Sequence, residues 1–339
     1  MAIDLTIAIP TYNGEQRLPQ VLDKLKTQVD TDNIKWEVVI VDNNSTDNTA
    51  KIIQEYQVNW LKNIPLRYCF EKEQGFPFAR QKAITEAKGE LIGFLDDDNL
   101  PYPNWVKSAY NFAKKNPQAG AFSSKIHGLF ETEPSQELKQ IIFYLAIIDR
   151  GSQPLLYEPR KKGLPPGAGL VVRREVWQKC VPSRLFLVGR AGNNIMPAGE
   201  DAEALLHIHK AGWEIWYNPT MEIEHIIPSW RLEKTYLMRL MRSIGLGRFH
   251  LRMLSLQWWE RPIAFVLYLI SDLRKIILHF IRNLQRSPQI RIFSQAQDCD
   301  RYDRTRDMVT ACELECLIGT FLSPFYLTKI RFKNLILKS

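Results

Sequence analysis

Near the amino terminus three apolar runs of strand length stop abruptly at polar residues, in LTIAIPTYNG, WEVVIVDNNSTDNT and GELIGFLDDDNLP. The first is followed by EQRLPQVLDKLKTQ, with Leu18, Val21, Leu22 and Leu25 at helical spacing, and the second leads into the helical AKIIQEYQ. PLRYCFE supplies a further strand, and a helix over about residues 77–88 precedes the apolar run Leu91 to Leu95. These strands lack a clean period of two, so both of their faces are expected to be buried. Alternation of such strands with helices predicts an α/β fold with a mainly parallel, Rossmann-like sheet covered by helices. In sheets of this kind ligands bind beyond the carboxyl ends of the strands. Pro10, Asp42 and the run Asp96, Asp97 and Asp98 all stand at those ends.

The acid run poses an electrostatic problem. Neighbouring carboxylates repel, and burial makes ionising them harder unless a cation or hydrogen-bond donors compensate. Positive charge is therefore expected beside Asp96 to Asp98.

With 339 residues and 45% hydrophobic content, the chain can bury a sizeable core. Its formal charge of +8 is unevenly placed, because residues 1–229 hold 26 Lys and Arg against 28 Asp and Glu, whereas 230–339 hold 19 against 9. Two regions are expected on that basis, a large, nearly neutral domain over 1–229 and a basic helical region over 230–339. Cys69, Cys180, Cys299, Cys312 and Cys316 are odd in number and lack the paired spacing of a zinc site, so they read as reduced thiols of a cytosolic protein. The opening MAIDLTIAIPTYNG has neither a basic n-region nor a long apolar h-region and reads as a first strand, not a signal peptide.

Further along, LPPGAGLVVRREVW joins a Gly-rich turn to a strand at Leu170 to Val172 and a helix. PPGAG precedes a strand, so it is expected to shape the floor of a pocket and not to cradle phosphate. GNNIMPAGEDAEALLHIHKAGWEIWYNP and MEIEHIIP predict a long loop, a helix opened by Glu200 and Asp201 and running through about Lys210, and two short strands. His207 and His209 alternate and do not have the helical spacing of a metal pair, so they are expected to be structural.

After Ser229 apolar residues interleave with Arg and Lys, with a Trp pair at Trp258 and Trp259 and an apolar peak over Ile263 to Ser271. Asp272, Arg274 and Lys275 interrupt that peak well short of the roughly 20 residues a spanning helix needs. Basic helices with Leu, Ile, Phe and Trp on one side fit an interfacial position on an anionic membrane, at its cytoplasmic face, as a peripheral or monotopic element. A helical subdomain packed on the core is the competing reading. LECLIGTFLSPFYLTKIRFK has the same mixed character.

The strand-end residues suit one another chemically. Asp42, with Asn43 and Asn44, can accept from the imide of a uracil or bond a ribose, and Thr11, Tyr12 and Asn13 can frame the same base. Asp97 and Asp98 can hold a ribose hydroxyl and a hard divalent cation such as Mg2+ or Mn2+. IPTYNG, VVIVDNNSTDNT, ARQKAI, GFLDDDNLP and AGED occur in that order and together resemble the signatures of glycosyltransferase family 2, inverting enzymes of the A-type glycosyltransferase fold, over about residues 3–228. The resemblance implies that Pro10, Thr11, Tyr12, Asn13, Asp42, Arg80, Asp96 and Asp97 serve the nucleotide sugar. Asp42 would bind the base, Arg80 would support the nucleotide and Asp97 would bind ribose. Asp98 would ligate the metal, although a run of three acids permits a shift of one position, and His225 matches a metal- or diphosphate-contacting histidine, with a core histidine satisfied by its neighbours as the competing reading. Asp201 would be the general base, with Glu200 as the second candidate.

The implied activity is transfer from a nucleoside diphosphate sugar, expected to be a uridine diphosphate sugar, to a glycan or lipid-linked acceptor of cell-surface or extracellular polysaccharide. Processive synthases of the family carry a Q-x-x-R-W motif, which IPSWRLEKTYLMRLMRS lacks, so a single transfer is expected. YLMRLMRSIGLGRFHLR resembles the tails of cyanobacterial enzymes assigned to hormogonium polysaccharide. Competing readings are a sugar-nucleotide nucleotidyltransferase, which wants a Gly-rich basic loop after the first strand, and a catalytically silent membrane scaffold. No nucleic-acid partner is expected; retention on DNA but not on anionic liposomes would show one.

Overall fold

The computed structural model describes residues 3–159, 163–189, 196–286 and 297–336. Its elements in chain order are β1 (Ile3–Thr11), α1 (Leu18–Lys26), β2 (Trp36–Asp42), α2 (Thr49–Val58), β3 (Leu66–Phe70), α3 (Phe76–Glu86), β4 (Gly89–Phe94), β5 (Asn99–Pro101), α4 (Trp105–Lys115), β6 (Ala119–Phe130), β7 (Leu155–Leu156), β8 (Val171–Arg173), α5 (Arg174–Cys180), α6 (Glu200–Lys210), β9 (Glu214–Ile227), α7 (Lys234–Leu254), α8 (Arg261–Arg286) and α9 (Gln297–Ile336). The chain divides into one unit of Met1–Leu129, Ala146–Ala191 and Glu200–Ile227, and another of Phe130–Leu145, Gly192–Gly199 and Pro228–Ser339.

The first unit is built on a sheet of order β3-β2-β1-β4-β8-β6-β9-β5, with β7 also pairing β9. β3, β2, β1 and β4 run parallel, as the strand–helix alternation requires, and β8, β5 and β7 add antiparallel pairs. Alternate residues of the central strands point to opposite faces. Ile7, Ile9, Val38 and Ile40 pack with Leu18, Val21 and Leu22 of α1 and Trp105 of α4, whereas Ala8, Val39 and Val41 pack with Ala79 and Ala83 of α3 and Leu205 of α6. Burial on both faces is why these strands read as continuous apolar runs.

One strand differs from the expectation. EIWYNPTMEIEHII forms a single long β9 in place of two short strands. Pro219 has no N–H to contribute to a ladder, and it falls between the residues that pair β7, Trp216 and Tyr217, and those that pair β5, Ile223 to His225. The strand changes partners where its donor is missing, so it continues.

In the second unit α7 and α9 approach closely through small residues. A Cβ at Gly245 would collide with the Cys316 carbonyl, and one at Gly319 would lie 2.6 Å from the Arg242 carbonyl. Cys312, Cys316, Thr320 and Ser323 of α9 are buried. By length and composition Asp307–Ile330 is long and apolar enough to cross a membrane. Cys69, Cys180, Cys312 and Cys316 are free thiols, and the side chain of Cys299 lies outside the described residues.

Candidate active site

The loops after β1 and β2 hold each other. The Asn13 N–H donates to Ser45 Oγ at 2.9 Å, the Gly14 N–H to Thr49 Oγ1 at 2.8 Å, and the Thr46 N–H to Asn13 Oδ1 at 2.9 Å. Asn13 and Asn44 take left-handed backbone angles, φ 49° and 63°, which Asn tolerates better than most residues. Pro10 and Thr11 are buried in β1, whereas Tyr12 is 45% exposed and faces solvent beside them.

Asp42, the last residue of β2, is buried, and both of its oxygens are engaged. Oδ1 accepts the Ser45 N–H at 2.9 Å, an Asx-type turn that starts the loop, and Oδ2 accepts the Tyr68 hydroxyl at 2.9 Å. Burial, and then that bond to a carboxylate, push the Tyr68 hydroxyl up to about 12. Asn43 accepts the Gly75 N–H at 2.7 Å and donates to the Glu73 carbonyl at 2.7 Å, which fixes the start of α3.

The three carboxylates after β4 meet three different fates. Arg17 forks onto Asp97, with Nε at 3.0 Å from Oδ1 and Nη2 at 2.9 Å from Oδ2, and Thr11 Oγ1 donates to the same Oδ2 at 2.7 Å. A Cβ at Gly14 would stand 2.9 Å from that oxygen, so the close approach requires glycine there. Asp98 is buried, accepts from Asn99 Nδ2 at 3.1 Å, and has Oδ2 3.5 Å from Nε2 of the buried His225. Asp96 carries its acidity to about 6, first because it is buried and then because Asp98 repels its charge, against the opposing pull of Arg80 and His225. The positive charge demanded by the acid run is thus supplied by Arg17 at Asp97 and by Arg80 near Asp96. His225 reaches Asp98 because β5 and β9 pair with Asn99 opposite His225.

Asp201 lies in the first turn of α6. Its Oδ2 accepts the Gly167 N–H at 2.7 Å, and its Oδ1 forms an ion pair with Arg80. Arg80 is only 3% exposed, with its guanidinium 4.3 Å and 4.7 Å from the ring centres of Phe76 and Phe94. A Cβ at Gly167 would strike both Arg80 and Asp201, so this glycine of PPGAG is set by the ion pair beneath it. Glu200 packs near Gly189, where a Cβ would come within 2.8 Å of its carboxylate. Asn193 to Ile195 of the preceding loop lie outside the described residues.

Arg17 and Tyr68 complete the acid sites and are absent from the expected set. Neither has a local signal: Arg17 precedes α1 as an ordinary polar loop residue, and Tyr68 sits inside a strand whose apolar character explains it. Glu203, also unforeseen, is buried and accepts the Phe186 and Leu187 N–H groups at 3.0 and 2.8 Å, which moors the segment before α6. Its position two residues after the acidic pair disguises it as one more first-turn acid.

Among the described residues no group of three or more His, Cys, Asp and Glu is placed to hold a metal by itself. Asp98 and His225 offer two adjacent donors, a hard oxygen and an imidazole. Such a pair fits an ion of the Mg2+ or Mn2+ class that takes its remaining ligands from phosphate and water.

A family model described as glycosyl transferase family 2 matches residues 6–179. A poly(ribitol-phosphate) beta-glucosyltransferase of Bacillus spizizenii is 32% identical over 126 residues, which is 37% of this chain and 19% of that protein. The poly(ribitol-phosphate) beta-N-acetylglucosaminyltransferase TarS of Staphylococcus aureus is 33% identical over 107 residues, 32% of this chain and 18% of that protein. This chain therefore spans less than a fifth of the length of either relative. A solved mannosyltransferase, PcManGT from Pyrobaculum calidifontis in complex with GDP-Man and Mn2+, aligns with a TM-score of 0.55 at 17% identity over 94% of this chain and 88% of that one, a likeness of fold.

Proposed function

The chain belongs to glycosyl transferase family 2 and is a glycosyltransferase, and from that premise we propose that it transfers one sugar, with inversion, from a uridine diphosphate sugar to a glycan or lipid-linked acceptor. The observation that carries this reading is the position of Arg80, which pairs with Asp201 and attracts the charge of Asp96. It joins the acid run at the end of β4 to the carboxylate at the head of α6, so donor and base chemistry share one site.

In this reading Asp42 and the Pro10–Asn13 segment receive the base, with Tyr12 exposed to lie against it. Asp97, clamped by Arg17 and Thr11, holds the ribose, and Asp96 adjoins it. Arg80 is buried against Asp201, so its support of the donor runs through that carboxylate. Asp98 and His225 would hold Mg2+ or Mn2+ together with donor phosphate oxygens; the ion, when bound, supplies neutralisation of the departing diphosphate. Asp201 accepts the proton of the acceptor hydroxyl as the new oxygen–carbon bond forms at the anomeric centre and the carbon–oxygen bond to the diphosphate breaks. The products are the glycoside, the nucleoside diphosphate and the proton. Glu200, beside Asp201, is the second candidate for that proton.

The named relatives glycosylate poly(ribitol phosphate), and the solved relative carries Mn2+ with a sugar nucleotide, which supports a polymer-directed, metal-assisted reaction here. The setting we propose is the cytoplasmic face of a membrane, with residues 230–339 on anionic lipid, in polysaccharide assembly of the cyanobacterial hormogonium type that the tail resembles. Release of uridine diphosphate from a panel of uridine diphosphate sugars, by wild type and by Asp201→Asn, tests the transfer.

A further inference from the structure

α8 is amphipathic with the apolar side turned outward. Ile263, Val266, Leu267, Ile270, Leu273 and Ile277 follow one another at helical spacing and are between 46% and 69% exposed. Trp258 and Trp259, just ahead of the helix, are 74% and 59% exposed. Asp272, Tyr268 and His279 of the helix face inward. Asp272 is buried and accepts from Nη1 of Arg252 at 2.6 Å and from Nη2 at 3.2 Å, Tyr268 stacks on the same guanidinium at 4.9 Å, and His279 lies 3.9 Å from Glu313 of α9. A water-soluble helix keeps its apolar stripe inside. Here polar contacts with α7 and α9 fix the rotation of the helix and present its apolar stripe to the surroundings.

Charge decides what covers that stripe. Asp272 is the sole acid between Arg261 and Arg286, and it is consumed inside by Arg252. Arg274, Lys275 and Arg282 remain exposed on α8. Lys275 and Arg282 also line a cavity of about 410 Å3 with Arg248, Tyr144, His279 and Glu313, in which cations outnumber the single acid. An apolar stripe flanked by indoles and cations matches the acyl chains, interface and phosphates of an anionic bilayer in turn.

We propose that α8 lies in the plane of an anionic bilayer as the docking element of this chain, its outward stripe among the acyl chains and a lipid phosphate at the cavity lined by Lys275, Arg282 and Arg248. α9 satisfies the length and composition of a span, but its small residues are committed to α7, so docking is monotopic through α8. This deepens the membrane setting proposed above and is independent of the transfer chemistry.

The test is flotation of the full chain with vesicles of phosphatidylcholine alone and of equal parts phosphatidylcholine and phosphatidylglycerol, with no sugar nucleotide present. Binding is expected to the anionic vesicles and to be at least tenfold weaker for Ile270→Glu with Ile277→Glu, exposed positions whose change leaves the far-ultraviolet circular dichroism intact. Lys275→Gln with Arg282→Gln should weaken anionic binding by about fivefold per charge and leave binding to phosphatidylcholine unchanged. Absence of vesicle binding by the wild type would overturn the proposal. So would a wild-type dimer in solution that Ile270→Glu with Ile277→Glu turns into monomer, since the stripe would then belong to a second copy. Uridine diphosphate release is read separately, so failure of docking and failure of the transfer reading are distinguishable.

Discussion

Arg80 of α3 pairs with Asp201 of α6 over a glycine, Gly167, that has no room for a side chain. A residue expected at the nucleotide and the residue expected to be the base are thus one electrostatic unit. Removing the partner of a buried ion costs far more than the pair itself contributes, because the remaining charge is left uncompensated.

Removing either half of that pair alone should therefore be costly. Arg80→Met is expected to lower stability by about 3 kcal/mol, as it leaves the Asp201 carboxylate without its cation. Asp201→Asn leaves Arg80, only 3% exposed, without its carboxylate and should cost about 3 kcal/mol as well. Urea denaturation measures both; losses of less than about 1 kcal/mol, as for an exposed ion pair, would show that the pair is not the support inferred for α6.

Arg17 is the cation that forks onto Asp97, and its side chain is 42% exposed. Exposed ion pairs contribute little to folding, so Arg17→Ala should change stability by less than about 1 kcal/mol. Asp97 would lose its fork, however, and uridine diphosphate affinity is expected to fall by about fivefold, the equivalent of one ordinary hydrogen bond. Calorimetric titration measures this, and unchanged affinity would remove Asp97 from the ribose site.

The Asp98–His225 pair predicts a metal dependence that needs no turnover to observe. Mn2+ with uridine diphosphate should raise the unfolding temperature of the wild type, and chelation should reverse the rise. Asp98→Ala should abolish it, and His225→Ala should weaken it by roughly tenfold in metal concentration, the scale of losing one tuned ligand interaction. An undiminished rise in Asp98→Ala would place the ion elsewhere.

Much of this frame was legible in the sequence. Both-face burial wrote Val38 to Val41 and Leu91 to Leu95 as unbroken apolar runs, and the polar residues that end them mark where a parallel sheet presents its ligand edge. The partners of those polar residues were not legible, because Arg17 and Asp97, or His225 and Asp98, are joined only by sheet register and loop closure. The continuity of β9 through Pro219 was hidden for the same reason: local chemistry argues for a break, and only the change of neighbouring strand accommodates the missing donor. The inward polar face of α8 depends on Arg252 and Glu313, which no periodicity within the helix reveals.

Tyr68 gives a pH signature of the base-binding end. Its proton is held more tightly in the folded protein, to about 12 against an ordinary 10.0, through burial and the bond to Asp42. The associated stability is complete below the ordinary value and is lost as pH rises through the folded one. Tyr56 is likewise pushed up to about 12 by burial and then by its bond to Asp23, so phenolate absorbance should show a late-titrating group that Tyr68→Phe reduces by one tyrosine and from which Asp42→Asn moves one tyrosine towards the ordinary range. A late group whose size Asp42→Asn leaves unchanged would break the link between Tyr68 and Asp42.

The most direct measurement is release of uridine diphosphate from uridine diphosphate sugars in the presence of Mn2+, by the wild type and by Asp201→Asn, with nucleotide binding followed in parallel. A single-transfer enzyme with Asp201 as base predicts release above background from at least one sugar nucleotide, nearly abolished in Asp201→Asn while uridine diphosphate still binds. No release from any sugar nucleotide, or release that Asp201→Asn leaves unchanged, would contradict it.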